Sequence, residues 1–333
     1  MTASPRVPNT PTPVRKYLVT GGAGYIGGAV ARRLLEAGHE VVVLDDFSTG
    51  FRDGVPADAV LVEGGIRDAA RWLDPSFDGV LHFAAYSQVG ESVADPGKYW
   101  ENNVGGTIAL LAAMRAARVR KLVFSSSAAT YGEPVRSPVT ESDPTVPTSP
   151  YGATKLAVDH MIGGEARAHG LAAVSLRYFN VAGAYRGHGE RHEPESHLIP
   201  LVLDVALGRR ESIAVYGDDY PTPDGTCVRD YIHIADLAEA HVLALAAARP
   251  GEQLICNLGN GNGFSVREVV AAVRKVTGHP VPETLAPRRP GDPAVLVASA
   301  AVARERLGWA PARPGLADIV SDAWEFARTR VLV

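Results

Sequence analysis

The chain has 333 residues, of which 46% are hydrophobic and 21% are charged, so it can build a sizeable core in one large or two ordinary domains. Its formal net charge of −4 gives no electrostatic reason to expect nucleic acid or an anionic membrane as a partner. Two cysteines are too few for a disulfide framework, which is typical of the reducing cytoplasm, and no apolar stretch approaches the roughly 18 residues of a membrane span.

The chain opens with a proline-rich segment, 1–14, which lacks the apolar core of a signal peptide and is expected to be a disordered tail. A strand, a glycine turn and a helix are predicted next. Gly21, Gly24 and Gly27 stand at three-residue steps, and the apolar residues after them recur on one helix face. Such a turn brings backbone N–H groups close to a pyrophosphate, so it predicts a dinucleotide site. The alternative is a plain strand–turn–helix.

Asp45 ends the next predicted strand, about twenty residues after the glycines, where a carboxylate binds an adenosine ribose. A carboxylate there would repel a 2′-phosphate by about 1 kcal/mol in water and about 4 kcal/mol nearer a protein surface. No Arg or Lys follows before Arg52. We therefore predict NAD rather than NADP as the cofactor. The alternative is that Asp45 only ends the strand at a turn.

Strands and helices alternate through the first half of the chain. Strands are predicted at 16–20, 40–45, 60–63, 79–83, 120–125 and 172–178, and helices near 25–37, 98–117 and 151–168. This alternation predicts an α/β fold with a Rossmann-like, doubly wound parallel sheet. Ligands of such sheets bind beyond the carboxyl ends of the strands.

Tyr151 and Lys155 are four residues apart and share one face of the predicted helix. An ammonium beside a phenol stabilises the phenolate, so Tyr151 could act as a base well below its ordinary pKa of about 10. The serines at 125–127 could pass a hydrogen bond to the substrate. On its own, such a pair is more often a core Tyr beside a solvated Lys. The dinucleotide turn in the same chain favours the catalytic interpretation.

The second half of the chain is less regular. Two loops, 183–200 and 216–225, are long enough to suggest a role in binding. Helices are predicted near 198–208, 235–248, 265–277 and 314–330. We expect a cofactor-binding domain at 15–180, with later segments near 228–260 returning to it, and a second, smaller α/β domain for the substrate at 181–333. Arg229 and Arg289 suit a diphosphate, with a solvated surface position as the alternative.

Eight short segments carry a resemblance to a known family. They are 20–27, 89–92, 102–104, 124–128, 149–152, 176–180, 228–233 and 288–292. From about residue 15 to residue 309 the chain resembles the extended short-chain dehydrogenase/reductases, and within them the UDP-glucose 4-epimerases. The resemblance implies an NAD-dependent isomerase that interconverts UDP-glucose and UDP-galactose through a 4-keto sugar. It also implies a cytoplasmic homodimer of galactose metabolism.

The resemblance assigns roles to individual residues. Ser127, Tyr151 and Lys155 would be the catalytic trio. NAD would be bound by Gly21, Gly24, Tyr25, Ile26, Gly27, Asp45, Ile66, Phe83, Ala84, Asn102, Lys155 and Phe179. The UDP-sugar would be bound by Ser127, Tyr151, Asn180, Leu198, Tyr216, Arg229, Arg289, Asp292 and Leu296. No metal is expected.

The chain also departs from the family pattern. Gly65 stands where many members have Asp, Ser87 where many have Lys, and His197 where an Asn is common; the role of His197 is open. Leu296 stands at the position of a gate beside the sugar 2-substituent, which predicts a preference for UDP-glucose and UDP-galactose over UDP-N-acetyl sugars. The alternative is that Leu296 is an ordinary buried strand residue.

Two other functions remain open. A nucleotide-sugar dehydratase or decarboxylase shares the fold, but a dehydratase typically has an Asp-Glu pair where this chain has Ala128 and Ala129. A non-catalytic NAD sensor or scaffold tends to lose the Tyr or the Lys, and both are present here. The homodimer would pair the helices near 98–117 and 151–168. Its apolar stripe, which could equally be plain core, would be Ala109, Leu110, Ala113 and Met114.

Overall fold

The structure, a computed structural model, describes residues 13–289 and 292–330, so all but the end of the expected tail lies outside the described residues. The strands are β1 (Lys16–Thr20), β2 (Glu40–Asp45), β3 (Val60–Glu63), β4 (Gly79–His82), β5 (Lys121–Ser127), β6 (Ala172–Tyr178), β7 (Asn180–Ala182), β8 (Ala184–Tyr185), β9 (His188–Gly189), β10 (Ile213–Tyr216), β11 (Val228–His233), β12 (Gln253–Leu258), β13 (Gly263–Ser265), β14 (Glu283–Ala286) and β15 (Val295–Leu296). The α-helices are α1 (Tyr25–Glu36), α2 (Val89–Ala94), α3 (Pro96–Tyr99), α4 (Gly106–Ala116), α5 (Pro150–His169), α6 (Leu198–Ala206), α7 (Ile234–Ala247), α8 (Val266–Thr277), α9 (Ala301–Leu307) and α10 (Leu316–Thr329).

A parallel sheet of seven strands forms the centre of the molecule, in the order β12-β6-β5-β4-β1-β2-β3. Helices α1 and α7 pack on one face and α4 and α5 on the other, so each face has its own apolar core. The strand order reverses between β1 and β4, and a crevice forms at the carboxyl ends of the strands at such a point. The predicted Rossmann-like fold is confirmed.

The helix predicted at 98–117 is interrupted. A π-helical turn, Trp100–Gly105, lies between α3 and α4. Its Asn103 is buried, accepts a hydrogen bond from Tyr86 N (2.9 Å) and donates to Tyr86 O (3.0 Å) and Thr154 Oγ1 (3.2 Å). Helical periodicity cannot reveal such a turn, which often marks a functional site.

The smaller part of the molecule is built around β11, which pairs with β7, β13 and β15. Helices α6, α8 and α10 cover it with a third apolar core. The segments near 228–260 divide between the two parts: β11 lies in this smaller sheet, whereas α7 and β12 pack on or in the central sheet. No helix in the described part of the chain is long and apolar enough to cross a membrane.

A buried ion pair ties β6 to α5 beneath the carboxyl end of the sheet. The Nη2 of Arg177 lies 2.9 Å from Oδ2 of Asp159, and the two side chains are 4% and 2% exposed. Arg177 also donates to the hydroxyl of Tyr131 (3.1 Å), and Ser126 donates to the same carboxylate oxygen (3.1 Å). Buried charges are tolerated when they are paired and hydrogen-bonded in this way.

Candidate active site

One large cavity, of about 1220 Å³, opens at the carboxyl ends of the parallel strands. Every residue that the sequence analysis assigned to the cofactor, the substrate or catalysis lines it. These residues come from both parts of the molecule, since Arg229 and Leu296 belong to the smaller sheet and Ser127 to the central one. The fold therefore brings together side chains that are far apart in the sequence.

The glycine turn between β1 and α1 is shaped to receive a pyrophosphate. Gly21 has a left-handed backbone (φ +71°), and a Cβ added there would lie 2.5 Å from Ala84 N. A Cβ on Gly27 would collide with the carbonyl oxygen of Gly21. Gly24 precedes α1 and has no side chain with which to cap it. The first N–H groups of the helix are thus directed at the cavity, where an anion can approach them closely.

The Asp45 carboxylate is held at the end of β2 by two backbone groups. Its Oδ2 accepts a hydrogen bond from Ala23 N (2.9 Å) and its Oδ1 from Phe47 N (2.8 Å). Burial raises its pKa, and these two hydrogen bonds oppose that rise. The Asp45 side chain therefore also stabilises the backbone turn at the end of β2, as the alternative interpretation of the sequence proposed. Because a carboxylate oxygen has a further lone pair, it can still accept a hydrogen bond from a ribose.

Replacing Asp45 by Asn and Asp46 by Arg together is expected to raise the affinity for NADP relative to NAD at least tenfold. The like-charge repulsion of about 1–4 kcal/mol disappears, and the guanidinium can bind the 2′-phosphate. Asn keeps an acceptor for Ala23 N. Fluorescence titration with both dinucleotides measures the ratio, with Asp46→Arg alone as the control. Tight NADP binding by the parent protein would contradict the role of Asp45.

The three residues predicted to be catalytic come together at the carboxyl end of β5. Ser127 ends β5, and its hydroxyl is close enough to the Tyr151 hydroxyl to lower the pKa of that phenol. Helix α5 begins at Pro150, is capped by Ser149 Oγ, and presents Tyr151 and Lys155 on one face. The Nζ of Lys155 lies 5.8 Å from the centre of the Tyr151 ring. The predicted juxtaposition of base, cation and hydroxyl is thus present in the structure.

The pKa of Tyr151 departs from the expectation. Burial raises the pKa of Tyr151, and the nearby Ser127 hydroxyl offsets that rise only in part. Burial also lowers the pKa of Lys155 to about 8, although the nearby Asp159 opposes that change. The ammonium donates its 2.7 Å hydrogen bond to Ser125 O rather than to the phenol. Burial of Tyr151 therefore acts against the phenolate that the sequence analysis expected Lys155 to stabilise.

Two arginines, Arg229 and Arg289, also line the cavity. The Nη2 of Arg229 lies 2.5 Å from Oδ1 of Asp292, and its Nη1 donates to Pro293 O (2.8 Å). The guanidinium of Arg289 stacks on the ring of Tyr216, 4.0 Å from its centre. Residues 290 and 291, between these groups, lie outside the described residues. Both guanidinium groups line the cavity, and Arg229 is held by an internal carboxylate that the sequence did not predict as its partner.

The polar residues that line the cavity and that the sequence analysis did not single out include Glu190, His192 and Glu195. With His197, whose role was left open, they form the spacing Glu-x-His-x-x-Glu-x-His. That alternation of carboxylates and imidazoles within eight residues was the signal that could have identified them. Asn103 and Arg177 were also missed, because nothing local in the sequence marks a buried polar group.

Comparison with known proteins agrees with this geometry. The profile of the NAD dependent epimerase/dehydratase family matches residues 17–259. The chain belongs to this family. It is 71% identical to the UDP-glucose 4-epimerase of Streptomyces lividans over 316 residues, which cover 93% of this chain and 95% of the relative.

Solved structures of the epimerase family superimpose closely. The UDP-glucose 4-epimerase of Brucella ovis in complex with NAD is 46% identical, with a TM-score of 0.89, and the match covers 94% of this chain and 99% of the other. The enzyme of Stenotrophomonas maltophila, with bound NAD and formylated UDP-arabinopyranose, is 41% identical, with a TM-score of 0.91 and coverage of 95% and 98%. The glycine turn described above fits the cofactor that the family uses.

Proposed function

We propose that this protein is an NAD-dependent UDP-glucose 4-epimerase, which interconverts UDP-glucose and UDP-galactose. The observation that carries the proposal is that Tyr151, Ser127 and Lys155 line the same cavity as the glycine turn and the two cavity arginines. One cavity thus combines a candidate base and hydroxyl with a candidate dinucleotide site and a candidate diphosphate site. The relatives described above carry the same activity in their names and support the assignment.

In this proposal Tyr151, in its phenolate form, takes the proton of the sugar 4-hydroxyl and becomes the phenol, while the neighbouring Ser127 hydroxyl would bridge the two oxygens. NAD held by the glycine turn and Asp45 would supply a hydride acceptor for C4 and a positive charge that favours the phenolate. Lys155, buried beside Tyr151, adds a second positive charge. Two cations near one phenol lower its pKa, which offsets the rise that burial causes.

Inversion at C4 requires that the 4-keto sugar present its other face before the hydride returns. The proposal assigns the firm contacts to the nucleotide: Arg229 and Arg289 would hold the diphosphate, and Asp292 would orient the Arg229 guanidinium. A cavity of about 1220 Å³ leaves room for the sugar to turn about its link to the diphosphate. The central sheet with α7 and β12 would bind NAD, and the smaller part, from residue 181 onward, would contribute most contacts to the UDP-sugar.

Two measurements separate the proposal from its alternatives. The absorbance and mass of the cofactor released from purified protein report whether NAD is bound. Incubation with UDP-galactose, followed by chromatography of the sugar nucleotides, then reports the reaction. An epimerase yields UDP-glucose of unchanged mass, a dehydratase loses water, and a sensor or scaffold yields no product. The last two outcomes would each contradict the proposal.

Leu296 remains a candidate gate. It lines the cavity and packs with Phe179 against a buried cluster that contains Ala128 and Tyr131, so both sequence-based interpretations have support. Leu296→Ser is expected to raise kcat/KM for UDP-N-acetylgalactosamine about tenfold or more. The added hydroxyl can bond the acetamido carbonyl, and an unpaired polar group costs roughly 1–3 kcal/mol.

The control for Leu296→Ser is Leu296→Ala, which makes similar room without a hydroxyl. If kcat/KM for UDP-N-acetylgalactosamine rises equally in both variants, Leu296 excludes the acetamido group by its size. If neither gains, or if the parent accepts UDP-N-acetylgalactosamine as well as UDP-galactose, Leu296 is not a gate. Rates on UDP-galactose in all three proteins correct for any loss of folded enzyme.

We include a homodimer and a cytoplasmic location in the proposal. The stripe suggested by the sequence is core in this structure, since Leu110, Ala113 and Met114 are buried against the central sheet. The same segment exposes other large apolar side chains, among them Trp100 (42% exposed) and Ile108 (56%). The proposal places these side chains in the contact between two subunits, since contiguous exposed apolar patches mark interaction sites. Reduced, buried Cys227 and Cys256 are in keeping with the cytoplasm.

Ile108→Glu is expected to convert a dimer into a monomer at micromolar concentration, because it buries a charge in the contact. Sedimentation velocity measures the mass. Val135→Glu, at a fully exposed position elsewhere, is the control and is expected to sediment like the parent. A parent protein that sediments as a monomer would contradict the dimer.

A further inference from the structure

Two imidazoles and two carboxylates converge at the edge of the cavity. Glu190, His192, Glu195 and His197, here called the loop quartet, each offer one ligand atom, and these atoms all lie within 4.8 Å of one another. All four side chains come from one stretch that ends where α6 begins, at Leu198. The quartet is separate from the catalytic trio and from the two cavity arginines.

The four ligand atoms of the loop quartet are close enough together to share one small cation. His197 Nδ1 lies 2.9 Å from Glu195 Oε1 and 3.0 Å from Glu190 Oε1. His192 Nδ1 lies 3.5 Å from Glu190 Oε1 and 3.7 Å from Glu195 Oε2. Zinc bonds of about 2.0–2.2 Å place tetrahedral ligands roughly 3.3–3.6 Å apart. The observed separations lie on both sides of that range.

Hydrogen bonds within the loop quartet account for the Nδ1 atom of His197 but not for that of His192. An N–H on His197 Nδ1 satisfies that ring by donating to the two carboxylates. His192 Nδ1 is different: it is buried and has no hydrogen-bond partner among the described residues. The carboxylate of Glu190 is itself 8% exposed. Buried polar atoms are normally hydrogen-bonded or coordinate a metal, and an imidazole nitrogen with a free lone pair is a good ligand.

The surroundings orient the ligands. Glu195 Oε1 accepts hydrogen bonds from the backbone N–H groups of Ser196 (2.8 Å) and His197 (2.9 Å). Contacts of this kind fix the direction of a ligating carboxylate. The beginning of the same loop is fastened to the glycine turn, because Tyr25 Oη donates to Gly183 O (2.8 Å) and His188 Nε2 donates to Tyr25 O (2.8 Å). A cation bound by the loop quartet would hold the other end of the same loop, next to the start of α6.

We propose that the loop quartet binds one divalent transition-metal cation, with Zn²⁺ the best match, and that this cation holds the loop against the start of α6. Two nitrogen and two oxygen ligands suit zinc, whereas calcium and magnesium prefer all-oxygen sites. Four protein ligands complete a tetrahedron, which is typical of a structural site. Because His197 precedes Leu198, the cation would also position a residue that lines the cavity.

The first test measures metal content and affinity. The full-length protein is treated with a chelator, dialysed, and titrated with Zn²⁺ and, separately, with Co²⁺. We expect one Zn²⁺ per chain by mass spectrometry and the intense visible absorption of tetrahedral Co²⁺. His192→Ala and Glu195→Gln are each expected to weaken binding about 100-fold or more, since even loss of an outer contact costs 10–100-fold. Glu193→Gln, in the same loop but outside the quartet, is the control and should bind like the parent.

A second test measures whether the bound cation holds the loop against the start of α6. Trypsin cleavage after Arg191, within the quartet, is expected to slow when Zn²⁺ is added to the chelator-treated protein. Cleavage after Arg186, whose side chain is 70% exposed in the preceding hairpin, is the internal reference and should not change. Absence of bound metal, or equal affinity in the two quartet variants and the control, would overturn the metal site. Unchanged cleavage after Arg191 would overturn its structural role. Neither readout depends on epimerase activity.

Discussion

Tyr151→Phe is expected to lower kcat/KM for UDP-galactose by about 10²–10⁴-fold, the usual contribution of a general acid–base group. The substitution removes the hydroxyl that lies beside Ser127 and leaves the ring in its buried position. The bound NAD and the free energy of unfolding should therefore change little. Coupled assay of UDP-glucose formation, with the NAD content measured on the same sample, gives the comparison.

The matched control is Tyr99→Phe. Tyr99 packs edge-on against Tyr151, with ring centres 6.5 Å apart, but its hydroxyl donates to Gln88 O (2.8 Å) and to Glu91 Oε2 (2.7 Å). Losing that hydroxyl should affect stability more than the chemical step. If kcat/KM of Tyr151→Phe stays within tenfold of the parent, Tyr151 is not the base. The same conclusion follows if Tyr99→Phe lowers kcat/KM as much as Tyr151→Phe does.

Arg177→Met is expected to lower the free energy of unfolding by about 3–5 kcal/mol, the cost of leaving a buried charge without its partner. Met retains much of the volume but none of the donors. The Asp159 carboxylate, 2% exposed, would lose the hydrogen bonds from Arg177 and keep only the one from Ser126. Urea unfolding followed by circular dichroism measures the loss.

Two further variants isolate the buried charge. Arg177→Met combined with Asp159→Leu removes both charges and is expected to recover most of the loss, since replacing a buried ion pair by apolar groups is often close to neutral. Arg306→Met breaks a surface pair with Glu252, in which the side chains are 36% and 39% exposed, and should cost less than about 1 kcal/mol. A double variant no more stable than Arg177→Met would contradict the assignment to the unpaired carboxylate.

Most of the central sheet could be predicted because its strands are buried on both faces and appear as short apolar runs. The predicted segments 40–45, 60–63 and 172–178 coincide with β2, β3 and β6. Strand order is not local information, and the place of β12 beside β6 depends on pairing with a distant segment. The short helices α2 and α9 were not predicted because they contain too few turns to show a period.

In the candidate site, too, the sequence reveals features that depend on local spacing and does not reveal those that depend on packing between distant segments. The glycine turn and the Tyr151/Lys155 pair depend on spacing within one helical turn or loop, so the sequence reveals them. The direction of the Tyr151 pKa shift depends on burial and, to a smaller extent, on the nearby Ser127 hydroxyl, and only the packed structure defines both. The pairing of Arg229 with Asp292 likewise joins residues that are 63 positions apart.

The late position of β12 has a consequence for biosynthesis. Its neighbour β6 is buried along its whole length and ends at Tyr178, whereas β12 ends at Leu258, 80 residues later. At translation rates of about 5–20 residues per second, the ribosome takes roughly 4–16 s to supply that missing neighbour. During this interval a nascent chain displays an apolar strand with an unpaired edge, to which another nascent chain can add. Rare codons between these two strands would lengthen that exposure and should increase aggregation on crowded polysomes.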